Sequence, residues 1–241
     1  MRISPQVAAL EIRGANNSII YPLLIWDDEK NLALIDAGFP GQLELFREAI
    51  SSEGFALSDI THILLTHQDL DHIGNLRQLL AEAPAAKVYA HRNEAPCIRG
   101  DEPPSKTVAL AAQREQTPEN AARLQEQISN YLNFTARVDV ELLDGEVIPI
   151  CGGIQVIHTP GHTPGHICFF LQRDKVLATG DTVSVSEGAL TGANPVHTPD
   201  MALAAKSNQM LADYDAEVLV GYHGGAFKGD VSKAIRELPL E

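Results

Sequence analysis

The sequence predicts an α/β fold of four layers (α+β in arrangement), an αββα sandwich in which two β-sheets pack face to face and helices cover both outer faces. Strand-like apolar runs occur in both halves of the chain, and each half also contains segments with helical periodicity. With 241 residues and 44% hydrophobic content, the chain can bury one sizeable core. We therefore expect a single domain over residues 1–241, with a helical insertion at about 97–137.

The N-terminal part of the chain predicts the first sheet. Residues from about 7 to 35 alternate apolar runs with turn signals at 14–17 and 27–28, which predicts a β-meander. Apolar residues spaced three and four apart predict helices at 43–50 and, just after a His- and Asp-rich motif, at 73–80.

The middle of the chain predicts a short strand at 87–90, followed by helical sequence. Residues 97–137 are polar and Ala-rich, and Thr117-Pro118 is typical of a helix N-terminus with a Thr cap and Pro at the first helical position. The predicted apolar face of that helix consists of Leu124, Ile128, Tyr131 and Leu132. The insertion is either a lid over a site or a plain surface elaboration, and both alternatives stay open.

The C-terminal part predicts the second sheet. Its strand-like segments are Ile148, 154–157, 167–171 and 176–178. A helix through 201–212 precedes the last predicted strand, 217–220.

Four side chains able to bind metal fall within six positions directly after the apolar run 63–65. They are His67, Asp69, Asp71 and His72. Their spacing does not suit one face of a helix, where ligands would lie four apart. It suits a loop that leaves a strand, so that two of these side chains point one way and two another. A polar turn would give a similar composition, but this arrangement could serve two metal ions side by side.

The same pattern recurs along the chain. An apolar run ends in an Asp or His beside Gly at Asp36, His162, Asp181 and His223, as well as at the first motif. Side chains at strand ends, held on loops by a rigid sheet, are how α/β scaffolds build a site. The repetition therefore favours one metal site assembled from distant segments.

These motifs resemble those of the metallo-β-lactamase fold superfamily, which includes glyoxalase II and lactonase-like hydrolases. That family carries H-x-H-x-D-H, then T-P-G-H-T-x-G-H, then G-D and a late His, and the resemblance extends from Asp36 to His223 in the same order. It implies the αββα metallo-β-lactamase sandwich. It also implies a dinuclear site with two divalent transition-metal ions.

Carried over residue by residue, the resemblance implies a role for each site residue. One ion would be bound by His67, Asp69 and His162, and the other by Asp71, His72 and His223, with Asp181 bridging both. Asp36 matches an early Asp that orients a ligand. Near the site, His197 is a candidate for substrate contact, and Tyr222 either contacts substrate or packs beside His223. His166 is expected to brace the loop that carries His162.

Asp69 departs from the pattern, because the hydrolases of this family have His at that position. Flavodiiron proteins also place a carboxylate there, a Glu. A carboxylate is a harder ligand than imidazole, so Asp69 favours iron or manganese, while zinc stays open. Two divalent ions would be balanced by three aspartates and one bridging hydroxide. A neutral site of this kind tolerates a trivalent ion better than the site with one positive charge that His would give.

Three classes of function are compatible with these residues. The leading hypothesis is a metal-dependent hydrolase, in which a hydroxide bridging two ions attacks an ester, thioester, lactone or amide and Asp71 or Asp181 transfers the proton. The alternative is a di-iron oxidoreductase, either an O2 or NO reductase or a sulfur dioxygenase, which Asp69 favours. The chain leaves no room for a flavodoxin-like domain, which argues against a flavodiiron protein. A binding module without catalysis is the third class, although all seven ligands are present.

The composition of the chain restricts the kinds of molecule that the protein is expected to bind. A formal net charge of −14 argues against nucleic acid or an anionic membrane, so a small-molecule substrate is expected. Residues 1–5 open no signal-peptide core, and no run approaches the roughly 20 apolar residues of a membrane span, so we expect a cytoplasmic location. Cys97, Cys151 and Cys168 lie far apart and outside the motifs, which indicates reduced thiols.

Three further histidines are expected to be structural. His62 and His158 lie within or at the ends of predicted strands, where a buried histidine needs hydrogen-bond partners. His91 is expected at the surface or at the end of a strand.

Overall fold

The structure is a computed structural model that describes residues 1–14 and 18–239. Its strands are β1 (Arg2–Ser4), β2 (Val7–Ala9), β3 (Ile12–Arg13), β4 (Ile19–Ile20), β5 (Leu23–Trp26), β6 (Leu32–Ile35), β7 (His62–Leu64), β8 (Lys87–His91), β9 (Val140–Leu142), β10 (Val147–Ile148), β11 (Ile154–His158), β12 (Ile167–Leu171), β13 (Val176–Ala178), β14 (Val183–Ser186), β15 (Ala189–Gly192), β16 (Val218–Gly221) and β17 (Gly225–Lys228). Its helices are α1 (Leu43–Ser52), α2 (Leu70–Ile73), α3 (Leu76–Glu82), α4 (Ala95–Arg99), α5 (Ser105–Ala112), α6 (Pro118–Tyr131), α7 (Met201–Met210) and α8 (Val231–Arg236), with 3-10 turns at Leu57–Asp59 and Leu211–Asp213.

Two sheets form the centre of the fold. The first has seven strands in the order β1-β2-β5-β6-β7-β8-β9, and the second has six in the order β10-β11-β12-β13-β16-β17. Neighbouring strands from β6 to β9 are parallel, as are β13 and β16. Two short hairpins, β3–β4 and β14–β15, stand apart from both sheets.

The strand sequences divide the core into layers. In β5, Leu23 and Ile25 pack between the sheets, while Leu24 faces the outer layer that contains Phe46 of α1. The second sheet repeats this alternation on its own outer side, where a separate apolar cluster includes residues of β11 and α8. Because successive side chains of a strand point to opposite faces, each sheet buries both its faces. The predicted αββα arrangement is confirmed, as is its division into an N-terminal and a C-terminal sheet.

Most predicted helices are present, with local differences. The segment 73–80 is two helices, α2 and α3, and α2 starts at Leu70 inside the first motif. The break follows from tertiary contacts: a Cβ at Gly74 would lie 2.2 Å from the Pro40 backbone nitrogen, and Asn75 donates its side-chain N–H to the carbonyl of Ala37. The single helix expected from the spacing alone is therefore wrong.

The insertion and the C-terminus also differ in detail from the expectation. Thr117 caps α6 by accepting a hydrogen bond from the Asn120 N–H, as predicted, and Tyr131 is buried. Leu132 is 43% exposed and does not belong to the apolar face. The strand predicted to be last is followed by β17 and α8, and the β14–β15 hairpin was not expected.

The predicted meander is interrupted, because β2 pairs with β5 while β3 and β4 pair with each other. Of the turn predicted at 14–17, residues 15–17 lie outside the described part of the chain. Among residues 1–14 and 18–239, no helix has the length and apolar character needed to cross a membrane.

The two sheets bring the polar motifs to one edge of the sandwich. Asp36 follows β6, the first motif follows β7, and Asp181 and His223 follow β13 and β16. Hydrogen bonds hold these loops together across the sheets, including Ile167 N–H to the Thr66 carbonyl at 3.0 Å. Loops at the carboxyl ends of strands are thereby fixed around a common point.

Candidate metal centre

The loop that carries the first motif is held by a buried carboxylate. Glu94, directly before α4, accepts hydrogen bonds from the Gln68 N–H at 2.9 Å and from the Gly165 N–H at 2.7 Å. One side chain therefore links the loop of His67 and Asp69 to the loop of His162. Burial raises the pKa of Glu94, while its hydrogen bonds to Thr163, Gly165 and Gln68 act in the opposite direction. The sequence motifs gave no indication of this residue.

The structure brings all seven predicted metal ligands together in two clusters. The first consists of His67, Asp69, His162 and Asp181, and the second of Asp71, His72, Asp181 and His223. Within each cluster, one ligand atom per residue lies within 4.8 Å of all the others. Asp181 belongs to both clusters, with Oδ1 3.1 Å from His72 Nε2 and Oδ2 3.5 Å from His162 Nε2.

The spacing of these atoms fits a transition-metal ion. In the first cluster, Asp69 Oδ2 is 3.3 Å from His67 Nε2 and 3.2 Å from His162 Nε2. In the second, His223 Nε2 is 3.3 Å from Asp71 Oδ2. Ligands about 2.0–2.1 Å from a tetrahedral ion lie roughly 3.3 Å from one another.

Buried polar atoms without hydrogen-bond partners also indicate a metal site. Within the described residues, His67 Nε2, His72 Nε2 and Asp181 Oδ1 are buried and have no hydrogen-bond partner. Leaving a buried donor or acceptor unpaired costs about 1–3 kcal/mol, so native proteins rarely do so without a reason. The residues present therefore fit a pair of metal ions.

Three of the four imidazoles in the clusters are oriented through their other nitrogen. His72 Nδ1 is 2.9 Å from Asp36 Oδ2, His67 Nδ1 is 3.1 Å from Thr66 Oγ1, and His162 Nδ1 is 3.2 Å from Thr198 Oγ1. Such contacts fix the tautomer and the direction of a metal-binding ring. Asp36 itself adopts a positive φ of 66°, a conformation that few residues other than Gly, Asn and Asp tolerate.

His166 contacts two loops, the loop of His162 that it was expected to brace and the loop of Asp181. Its Nε2 accepts a hydrogen bond from the Asp181 N–H at 3.1 Å, and its Nδ1 is 2.8 Å from Thr159 Oγ1. Both ring nitrogens are therefore in use. His166 holds the backbone of the residue shared by the two clusters, in addition to its position in the loop of His162.

Charges in the site set the protonation of the ligands. Burial and the neighbouring His72 lower the pKa of His67 to about 4, so this ring is neutral at pH 7. Burial opposes ionisation of Asp69 and Asp181. The adjacent His67 imidazole and the Lys106 ammonium nevertheless hold the pKa of Asp69 well below the usual range, and His72 does the same for Asp181. Neutral imidazole and ionised carboxylate are the forms that bind metal.

The carboxylates of the second cluster favour the protonated forms of its two histidines, His72 and His223, in the metal-free protein. Burial lowers the pKa of His223, but the carboxylates of Asp181 and Asp71, 3.4 and 3.3 Å from its Nε2, raise it to about 9. The pKa of His72 is likewise raised well above its usual value, because Asp36 and Asp181 outweigh burial. Ion binding at the second cluster would therefore release protons.

A cavity of about 440 Å³ opens over both clusters. Besides ligand residues, its walls contain Phe39, Lys106, Ser184, Asn194 and His197. His197 is exposed, as a substrate-contacting residue must be. A larger cavity of about 520 Å³ lies beside Asp27 and Arg173, and none of the seven candidate ligands lines it. The smaller cavity is the candidate site because the candidate ligands line it.

Tyr222 packs and does not line this cavity. Its ring lies 3.9 Å from that of His72, and its hydroxyl donates a hydrogen bond to the Asp71 carbonyl. Only 3% of the side chain is exposed. Of the two roles considered for it, the packing role agrees with this position.

Lys106 was not found by sequence reasoning. It lies on α5, and its Nζ donates to Asp69 Oδ2 and contacts His162 Nε2 at 2.9 Å. No motif marks it, since it lies in the insertion 37 positions after Asp69. The charge balance predicted from the sequence did not include this ammonium, which lies against Asp69. The insertion also forms one wall of the cavity through this residue.

The residues expected to be structural lie away from the clusters. His91 ends β8, as one alternative proposed, but it is buried and stacks on His158 with ring centroids 4.3 Å apart. Half-buried His62 contacts Thr61 through Nδ1 at 2.8 Å. The three cysteines are free and buried, as predicted for reduced thiols.

Comparison with known proteins establishes the family. A model of the metallo-beta-lactamase superfamily matches residues 17–223. The chain belongs to this superfamily. The probable metallo-hydrolase YflN of Bacillus subtilis is 31% identical over 238 residues, which cover 90% of this chain and 83% of that protein.

Two further superfamily members extend the comparison. The hydroxyacylglutathione hydrolase GloC of Haemophilus influenzae is 34% identical over 161 residues, 66% of this chain and 65% of that protein. A metallo-beta-lactamase family protein of Thermus thermophilus shares the fold, with a TM-score of 0.74 at 22% identity over 98% of this chain and 79% of the other. The expectation of a superfamily hydrolase, made from the motifs, is thus confirmed at the level of the family.

Proposed function

We propose that the protein is a metal-dependent hydrolase that cleaves a small thioester, ester, lactone or amide, with thioesters the favoured class. The observation that carries this proposal is the position of Asp181 between two clusters of ligand atoms. One carboxylate within reach of both clusters supports a pair of adjacent ions. The name of GloC, a hydroxyacylglutathione hydrolase, supports a thioester substrate.

The proposed assignment of ligands follows the two clusters. His67, Asp69 and His162 would hold one ion, while Asp71, His72 and His223 would hold the other, and Asp181 would contact both. Two such ions supply Lewis acidity and a water of lowered pKa.

The protein's own groups then move the proton and position the substrate. Asp71 and Asp181 both line the cavity. Asp71 belongs to one cluster only, so it would bind metal through one oxygen and keep the other free to accept a proton from water. Asn194 and His197 line the same cavity and would donate hydrogen bonds to a substrate. The cavity of about 440 Å³ suits a small acyl compound.

Two properties of the first cluster bear on metal identity: the hardness of the Asp69 carboxylate and the positive charge of Lys106. The carboxylate of Asp69 is a hard ligand and favours iron or manganese. The overall charge of the site no longer favours these metals, because the positive charge of Lys106 compensates the negative charge of Asp69. We therefore propose iron or manganese on ligand hardness alone, with zinc as the competing ion.

The same carboxylate favours a second candidate, a di-iron oxidoreductase acting on O2, NO or a sulfur compound. Its redox chemistry would use the ligand set already described. The hydrolase is preferred because the named relatives YflN and GloC are both hydrolases.

A hydrolysis panel with one variant and one control tests the proposal. Protein loaded in turn with zinc, iron or manganese should hydrolyse an acyl thioester or a lactone, and a chelator should abolish the activity. Asp181→Ala should lose at least about a hundredfold in kcat, since it removes the group common to both clusters. Asp215→Ala, at a side chain that is 85% exposed, should match the parent. Activity that survives Asp181→Ala contradicts the proposal, and O2 consumption without hydrolysis favours the oxidoreductase.

A further inference from the structure

Lys106 places an ammonium group against the first cluster. Its side chain is 11% exposed, and its Nζ contacts Asp69 Oδ2 and His162 Nε2, two of the atoms offered to an ion. No other lysine or arginine lines the part of the cavity that the described residues form. A buried ammonium beside metal ligands opposes metal binding unless it has a compensating function.

The start of α5 is fixed against the first motif, so this contact is built in. Gln68 Oε1 accepts a hydrogen bond from the Ser105 N–H at 2.7 Å, and Gln68 Nε2 lies 2.6 Å from Ser105 Oγ. Adjacent residues of the motif thus contact adjacent residues of the helix: Gln68 with Ser105, and Asp69 with Lys106. This pairing sets the position of the Lys106 backbone.

The number of lone pairs determines which contact can coexist with an ion. Nε2 of His162 has one lone pair, so it can bind either Lys106 or a metal ion. Oδ2 of Asp69, the oxygen that Lys106 contacts, also faces the two imidazoles of the first cluster. A carboxylate has about four lone-pair sites on its two oxygens, so Asp69 can accept a hydrogen bond from Lys106 and still offer a site to an ion. Lys106 can therefore stay on Asp69 when His162 turns to an ion.

Lys106 does not satisfy the whole cluster in place of an ion. Nε2 of His67 has no hydrogen-bond partner, although an ammonium has three hydrogens to donate. The ammonium complements Asp69 and leaves the imidazole of His67 available. The geometry thus suits an ion and a lysine together.

We propose that Asp69 and Lys106 together take the place of the second histidine of the H-x-H-x-D-H motif. Asp69 supplies the ligand oxygen, and Lys106 supplies the positive charge and the hydrogen bond that orients the carboxylate. The pair has the net charge of a neutral imidazole. This inference rests on the proposed metal site and makes Lys106 a positioning residue for it.

The proposal implies that each member of the pair requires the other. A histidine at position 69 would bind the ion through one nitrogen, and its other nitrogen would carry a hydrogen and accept nothing from Lys106. The lysine would then add uncompensated charge beside the ion. Asp69→His should therefore be tolerated only when Lys106 is also replaced.

A double-mutant cycle on metal affinity tests this coupling. The parent, Asp69→His, Lys106→Met and the double variant are freed of metal, titrated with zinc and with manganese against a chelator of known affinity, and analysed for ions per chain. We expect Asp69→His to weaken one of the two ions by more than tenfold, and the double variant to recover to within about threefold of the parent. Lys206→Met, at an exposed position of α7, is the control and should match the parent.

The outcomes separate this inference from the proposed function. An equal effect of Asp69→His in the presence and absence of Lys106 overturns the pairing, while leaving a metal site in place. A parent that binds no ion at all overturns both. Thermal unfolding of the metal-free variants verifies that all four fold, so that a lost ion reports on the ligands and not on the fold.

Discussion

Asp36 Oδ2 lies 2.9 Å from Nδ1 of His72, and both side chains are buried. The same carboxylate accepts hydrogen bonds from the N–H and the hydroxyl of Thr66. It thereby fixes the ring of one proposed ligand and the backbone beside another. Asp36 belongs to neither cluster, but it positions His72 of the second cluster.

Asp36→Asn should weaken metal binding while preserving the fold. Asn tolerates the positive φ at this position and keeps one acceptor oxygen, but it lacks the charge that supports His72. We expect affinity for one ion to fall by about 10–100-fold, as is usual when the partner of a metal-binding histidine is altered. Chelator competition measures this loss. Asp28→Asn, at an exposed position, is the control, and equal affinities for both variants would contradict the orienting role.

Glu94→Gln should destabilise the protein itself. The carboxylate accepts two hydrogen bonds from Gln68 through one oxygen and one from Gly165 through the other. An amide offers only one oxygen and turns an N–H2 group toward a buried donor. We expect a loss of about 1–3 kcal/mol in the free energy of unfolding, measured by denaturant titration. Glu141→Gln, at a half-exposed ion pair with Arg99, should lose less than about 1 kcal/mol.

The layers of the fold were predictable because they follow from local periodicity. In β5, the continuous apolar run Leu23-Leu24-Ile25 is visible in the sequence and is typical of a strand that buries both faces, with Leu23 and Ile25 in one layer and Leu24 in the other. The separation of α2 from α3 could not be predicted from the sequence. Gly74 and Asn75 interrupt the helix because they contact residues more than 30 positions away in the chain. Contacts of that kind leave no periodic signal.

The residues of the site likewise divide into those that the sequence predicts and those that only the structure reveals. His67 and Asp181 belong to motifs with characteristic spacing, and the structure brings them together. Lys106 and Glu94 belong to no motif, and they reach the site only because α5 and α4 pack against its loops. Compact motifs reveal the candidate ligands and one orienting group, Asp36, whereas the roles of Lys106 and Glu94 follow only from the tertiary structure.

His197→Ala should change catalysis without changing metal content. His197 is exposed, lines the cavity and belongs to neither cluster. We expect kcat/KM for the best thioester substrate to fall by about 10–100-fold through loss of a substrate or proton contact. Elemental analysis should give the parent's number of ions. Val196→Ala, at a neighbouring side chain that is 72% exposed, is the control. Unchanged kinetics in His197→Ala would exclude this contact.

His91 should make the metal-free protein less stable in acid. Burial, followed by the stacked His158, lowers the pKa of His91 to about 4, below the value near 6.5 of an unfolded chain. The unfolded state then binds more protons, so stability is full above about pH 6.5 and falls as the pH drops toward 4. His91→Phe should keep the stacked packing and remove about 1–2 kcal/mol of the loss between pH 7.5 and 5. Denaturant titrations at the two pH values measure it, and identical losses in parent and variant would contradict the assignment.

The most direct test of the account is the rate of thioester hydrolysis as metal is returned to the metal-free protein. The two clusters joined by Asp181 predict that activity rises with added iron, manganese or zinc and saturates at about two ions per chain. Asp181→Ala should stay inactive throughout the same titration. Full activity without metal, or none at any metal concentration with any thioester or lactone tested, would contradict a two-ion hydrolase.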